Sequence, residues 1–289
     1  MFYILQGDSE PLSKLIFSLF FGSAILGVYQ FWARIGVRRG YSLLGAGLLA
    51  TIPVVFEHGT MGYVNLPFAT YLTLGVLQIT EGIWQENRNQ QALGGVLIAL
   101  STWTRPDGLV ISGLVFVGVL LASRICRWRK SALWAILGPI GVLAGVWQLY
   151  GWRASPGGVQ SFMVSTARVF IGAVAEGKLN LGAFYWIARF MGGQLKDPAV
   201  WGMTLPVALL VIVLNRKAIG RRVSPISFVL LLVTLVAGAS LVFFYYLVPF
   251  SGDVLHWLGT DINRMMLPMG MLGWVWLFSL WSGEGSQIA

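Results

Sequence analysis

Four short segments of this 289-residue chain carry side chains able to do chemistry. In Thr104-Arg105-Pro106-Asp107-Gly108, a guanidinium and a carboxylate sit among two residues that break helices. An arginine at such a turn can hold a phosphate through two parallel charge-assisted hydrogen bonds, and Asp107 is a candidate base. The blander account is a tight turn whose Arg105 and Asp107 pair or snorkel. Glu57-His58 sets an acid beside an imidazole, able to serve as a base or to supply two ligands to a divalent ion. Taken alone, that pair reads more simply as a solvated helix end. Asn65, shortly before Pro67, can cap a helix or hydrogen-bond a substrate. The run from His256 to Arg264 adds His256, Asp261 and Arg264, enough polar groups to cradle a sugar or a phosphate. Trp257 beside them can stack on a sugar or anchor at a membrane interface.

The chain around these residues is almost wholly apolar. It is 56% hydrophobic and 11% charged, with a mean hydropathy of +0.74. Soluble domains carry roughly 25% charged residues, so the composition indicates a polytopic integral membrane protein surrounded by membrane lipids. Its 13 Trp agree, because indoles favour the membrane–water interface. The net charge of +9 does not point to nucleic acid: the basic residues form short clusters between apolar runs, as membrane topology requires. The only cysteine, Cys126, excludes an intrachain disulfide and a cysteine-based metal cluster.

The expected fold is all-α, one transmembrane domain over 1–289 with about nine spans, each measured against the roughly 20 apolar residues that cross a bilayer. They fall near 12–33, 41–56, 66–80, 92–104, 109–123, 132–152, 198–214, 225–248 and 265–281, the shorter ones being candidate half-helices. The stretch 153–197 lies between spans, with interfacial or re-entrant helices at 162–175 and 181–191. Gly113 with Gly118, and Gly141 with Gly145, recur at a helical spacing that lets membrane helices approach. Arg34, Arg38 and Arg39, then Arg124 to Lys130, then Arg216 to Arg222 all land on one side, which is therefore cytoplasmic. The N-terminus is then outside and the C-terminal tail inside. Every candidate segment named above falls on the outer face. No ionisable residue falls in the middle of a span and no internal repeat is visible, which weakens the case for an ion-coupled transporter.

Three motifs in order resemble the GT-C superfamily of multispanning glycosyltransferases, of the protein mannosyltransferase or aminoarabinose transferase kind. They are Glu57-His58 through Asn65-Leu66-Pro67, the glycine-rich run from Ala92 to Arg105-Pro106-Asp107-Gly108, and Arg264-Met265-Met266-Leu267-Pro268. The resemblance covers most of the chain. It implies an inverting hexosyl or pentosyl transferase, with a polyprenyl-phosphate sugar donor and a lipid, glycan or protein acceptor. It places the active site on the extracytoplasmic face of a bacterial or archaeal plasma membrane. Arg105 and Arg264 match positions that would hold the lipid phosphate, with Asn65, His256 and Asp261 near the sugar or phosphate. Glu57 and Asp107 are the catalytic candidates, and His58 with Glu57 the candidate seat of a possible divalent cation. Asn65 stands where the family often has an acid. The family's main catalytic acid lies in a first outer loop that precedes everything recognisable here, so the sequence is expected to lack an N-terminal segment or to be divergent, and this chain to be inactive if truncated. An O-antigen ligase or polymerase, with Arg168 and Arg189 in its outer loop, and a transporter or flippase are the competing expectations.

Overall fold

The computed structural model describes residues 10–105, 108–125, 130–154, 168, 171–172, 175–177, 181–216, 224–247 and 262–282. Among them the chain is helical, with no strand. The helices are α1 (Glu10–Arg34), α2 (Arg39–Thr51), α3 (Pro53–Met61), α4 (Asn65–Trp84), α5 (Arg88–Thr104), α6 (Gly108–Ile125) and α7 (Lys130–Ala154). After these come α8 (Leu181–Gln194), α9 (Pro198–Trp201), α10 (Thr204–Leu214), α11 (Pro225–Leu247) and α12 (Leu267–Ser279). The interfacial segment expected at 162–175 lies largely outside the described residues, whereas 181–191 forms α8.

Local chemistry sets the helix ends. Gly36 takes φ +84°, and Val37 N–H returns to the Trp32 carbonyl at 2.9 Å, which closes α1 in a left-handed cap. Asn87 accepts from the Asn89 and Gln90 amides and so starts α5. Pro53 begins α3 directly after α2, where its missing N–H costs nothing. The two helices meet at a 63° bend.

Three helices are long and apolar enough to cross a membrane, Lys14–Arg34, Ala132–Gly151 and Pro225–Phe244, and the bent pair α2–α3 makes a fourth if counted as one span. The other expected spans are helices too, but shorter or more polar. α4 carries Thr70, Thr73, Thr80 and Glu81, and α5 opens on Arg88-Asn89-Gln90-Gln91. The molecule's exterior is apolar over wide areas: Leu19 and Leu26 on α1, Trp134, Val142 and Leu149 on α7, and Leu209, Leu210 and Val213 on α10 are exposed. Such a surface is stable against lipid tails and not against water.

α4 forms the centre. Its buried residues run round the whole helix, from Leu66, Phe68 and Ala69 to Leu72, Val76, Leu77 and Ile79, as expected of a helix packed on all sides. α5 lies against it at Gly75 and Gly94, where a Cβ on Gly94 would come within 2.8 Å of the Gly75 carbonyl oxygen. A Cβ on Gly95, on the next face of α5, would meet the Ile136 carbonyl of α7 at 2.6 Å. The glycines the sequence suggested for close approach behave differently. Gly118 packs on Val236, but a Cβ on Gly113, Gly141 or Gly145 would meet nothing within 4 Å. Spacing alone does not reveal which face of a helix finds a partner.

α1, α2 and α12 are stitched by paired indole bonds. Trp32 Nε1 donates to the Val275 carbonyl at 3.1 Å, and Trp274 Nε1 to the Gly45 carbonyl at 2.9 Å. Nearby, Glu81 is 1% exposed at the end of α4. Its carboxylate accepts from Arg34 at 3.3 Å, Gln85 at 3.1 Å and Gln90 at 3.2 Å, which satisfies a charge that would otherwise be costly to bury. The spans expected at 66–80 and 92–104 leave Glu81 just outside both, whereas α4 continues through it.

The α4–α5 contact yields a stability prediction. Gly94→Ala forces the two backbones apart and is expected to cost about 2 kcal/mol, the order of an overpacked core. Gly113→Ala, where space is open, is expected to be neutral. Thermal unfolding in mild detergent, followed by size-exclusion fluorescence, checks the difference.

Candidate polar site at one end of the bundle

α3 ends at Gly62, whose φ of +81° is left-handed, and the chain turns through Tyr63 and Val64 into α4 at Asn65. α5 ends at Thr104. Arg105 then adopts φ −144° and ψ 142°, the extended backbone that a residue before proline prefers. The Gly108 N–H donates to the Arg105 carbonyl at 3.1 Å and closes the turn. A Cβ on Gly108 would meet the Ser101 carbonyl at 3.0 Å and the Phe68 ring at 3.3 Å, so this turn sits directly on the start of α4.

Arg105 is thereby delivered to α4. Its Nη1 donates to Asn65 Oδ1, and its guanidinium carbon lies 5.9 Å from the centre of the Phe68 ring. Asn65 is 5% exposed and does not cap the helix: Val64 holds the N-cap position with no side-chain bond. The capping role suggested by sequence is therefore replaced by a contact 40 residues away in the chain.

Tyr63 joins a second group to the first. Arg264, in the turn of helix that precedes α12, places its guanidinium carbon 5.7 Å from the Tyr63 ring centre. The His58 imidazole lies 5.5 Å from that same centre, tilted by 45°. His58 is 3% exposed, so it is no solvated helix end. Neither ring nitrogen makes a well-formed hydrogen bond among the described residues, although the Val54 carbonyl one turn back lies close. The charges of Glu57, Arg264 and Arg105 all act on this imidazole. Glu57 itself is exposed. Adjacent helical positions project about 100° apart, which turns the imidazole inward and the carboxylate outward.

The structure thus brings Glu57, His58, Asn65, Arg105 and Arg264 to one end of the bundle, around Tyr63 and Phe68. Asp107, His256 and Asp261 lie outside the described residues. Among the described residues no three His, Cys, Asp or Glu side chains gather as a metal seat. A cation held by His58 and Glu57 would need the carboxylate to fold back over the end of α3. Arg189 belongs to a different cluster, on α8, where it lies 5.3 Å from the Trp186 ring centre and donates to the Tyr185 hydroxyl at 3.4 Å. Tyr63 and Phe68 are the residues that sequence reasoning did not single out. Each stands within three residues of Asn65, and only their shared contacts with the arginines reveal a role.

Chemically, the arrangement offers two guanidinium groups against aromatic faces, a buried imidazole and an exposed carboxylate. Arginines so placed can meet an anion with several oxygens, and the carboxylate can take a proton. Asn263 Oδ1, next to Arg264, is also buried with no hydrogen-bond partner among the described residues. Tyr63→Ala is expected to lower stability by about 1 kcal/mol through loss of the ring contacts to His58 and Arg264, whereas Tyr63→Phe keeps both faces and most of the stability; thermal unfolding of the two variants side by side measures this. Compared with protein-family models, with curated proteins and with solved structures, the chain matches none.

Proposed function

We propose that this chain is a membrane glycosyltransferase of the GT-C type. In this reading it moves a sugar from a polyprenyl-phosphate donor to a lipid, glycan or protein acceptor, with inversion, on the outer face of a bacterial or archaeal plasma membrane. The observation that carries the proposal is the meeting of Arg105 and Arg264, through Asn65, Phe68 and Tyr63, with His58 and Glu57 at one end of an apolar bundle. A lipid-linked phosphate would need such a place, with cations at the membrane boundary and apolar walls below.

The reaction divides among these groups as follows. The acceptor hydroxyl oxygen attacks the anomeric carbon, and the bond from that carbon to the phosphate oxygen breaks. The hydroxyl proton passes to the Glu57 carboxylate, or to Asp107 if that residue is the nearer. The charge that develops on the departing phosphate is met by Arg105 and Arg264. His58 and Asn65 position these groups, and a divalent cation remains compatible with the chemistry through Glu57 and His58.

Nine spans, with the N-terminus outside and the C-terminal tail in the cytoplasm, belong to the same proposal. Support comes from the basic residues. Arg34 ends α1 beside Glu81, away from the Arg105 turn. Arg34 therefore sits at the end opposite the polar site, and Arg216 follows directly on α10; basic residues at that end are what the positive-inside rule asks of a site facing out.

The test is transfer of radiolabelled sugar from polyprenyl-phosphate donors in membranes that contain this chain. Transfer should fall by about 100-fold or more in Arg105→Ala and Arg264→Ala, and by a similar factor in Glu57→Gln. No transfer and no donor binding, over a broad donor panel, would favour a transporter.

A further inference from the structure

At the end of the bundle away from the polar site, the turn from α1 to α2 sets Arg38 and Arg39 side by side, both exposed. Arg34, four residues earlier, is already matched by the buried Glu81 at 3.3 Å. Neither Arg38 nor Arg39 has a carboxylate within bridging distance among the described residues. Two uncompensated charges therefore stand together where α2 begins. The Tyr41 and Trp281 rings beside them stack at 4.6 Å, 14° from parallel. Amphipathic aromatics of this kind sit at the headgroup level of a bilayer.

Below the arginines, α2 presents a shallow apolar channel. Gly40, Leu43, Leu44 and Gly47 fall within about 100° of one another around the helix, and all four are exposed. A Cβ on Gly40 or on Gly47 would meet nothing within 4 Å. The two glycines stand about 10 Å apart along the axis, so the surface is lowered at both ends of the leucine pair. Arg39 borders this face, and helical side chains lean toward the start of their helix, which carries its guanidinium above the channel. The positive-inside rule accounts for the side of the membrane on which basic residues lie. It does not ask for a channel beneath them.

We propose that this corner is a binding site for one anionic phospholipid. Its phosphate lies between the Arg38 and Arg39 guanidiniums, and one acyl chain runs along Gly40, Leu43, Leu44 and Gly47. Charge complementarity selects the headgroup. Guanidinium meets a phosphate through paired charge-assisted hydrogen bonds, and a net-negative lipid leaves both arginines matched. A zwitterionic lipid offers the same phosphate together with its own ammonium, which repels the second arginine. The inference stands apart from the proposed transferase activity and does not depend on it.

The experiment is native mass spectrometry of the purified chain in dodecyl maltoside, with equimolar phosphatidylglycerol and phosphatidylcholine of identical acyl chains. An arginine near an anionic headgroup contributes about fivefold in affinity. The wild type is therefore expected to retain one phosphatidylglycerol per chain, about 20-fold in preference to phosphatidylcholine. Arg38→Ala and Arg39→Ala should each lower that preference about fivefold, and the double variant should bring it close to parity. Gly47→Trp, which fills the channel and leaves both arginines in place, should lower it too. Arg189→Ala, an exposed arginine on α8, should leave it unchanged. Equal retention of the two lipids by the wild type overturns the proposal, and so does an unchanged preference in the double variant or in Gly47→Trp. A loss in Arg189→Ala as large as in Arg39→Ala also overturns it, since the attraction would then belong to the chain's overall charge. Displacement of the lipid by millimolar inorganic phosphate would assign the corner to a free anion and would overturn it as well.

Discussion

The approach of α4 to α5 at Gly75 and Gly94 governs the rest of the molecule. Because neither residue has a side chain at the contact, the two backbones run almost in touch. The start of α4 and the end of α5 are then held side by side. This alone puts Asn65 opposite Arg105 and lets the Gly108 turn rest on Phe68. α5 repeats the device on another face, where Gly95 meets the Ile136 carbonyl of α7. In a bilayer no hydrophobic force drives helices together, so close packing and polar bonds must do so. The indole-to-carbonyl bonds of Trp32 and Trp274 supply that second kind of attachment for α1, α2 and α12.

The two ends of the bundle solve different electrostatic problems. At one, Glu81 is enclosed and fully served by Arg34, Gln85 and Gln90, and the result is a rigid junction. At the other, the arginines rest on aromatic rings and a buried imidazole keeps both nitrogens without a well-formed bond among the described residues. Saturated polar groups stiffen a structure, while unsaturated ones invite a ligand or water. The contrast makes the second end the one able to receive a ligand.

Much of this was legible in the sequence. Long apolar runs and scarce charge gave the helices and their approximate limits, since a bilayer admits few other structures. The identity of the polar residues was legible too, because Arg105, Asn65 and Glu57 stand out against an apolar background. What pairs with what was not. Asn65 looked like a cap because helix starts favour such residues, and a contact with an arginine 40 positions away leaves no local mark. His58 looked solvated since it adjoins Glu57, yet its side of α3 faces inward. Glu81 falls just past the expected span 66–80, and only the donors of Arg34, Gln85 and Gln90 make its burial tolerable. The same limit applied to the glycines: Gly113 and Gly141 had the spacing but no neighbour, and Gly94 had the neighbour.

The bend at Ile52 and Pro53 makes α3 a short lever. Gly202 lies against the Pro53 ring, with its would-be Cβ 3.0 Å from Cδ, and so backs the pivot. His58 stands five residues along the arm, about 8 Å from the pivot by helical rise. A tilt of about 10° at the joint would then carry the imidazole and the neighbouring Glu57 roughly 1.4 Å relative to Arg105. Errors of about 1 Å in the placement of reacting groups can cost about two orders of magnitude in rate. Whatever is seated behind Pro53, including the residues around Trp201, therefore holds mechanical leverage over the alignment of the polar end.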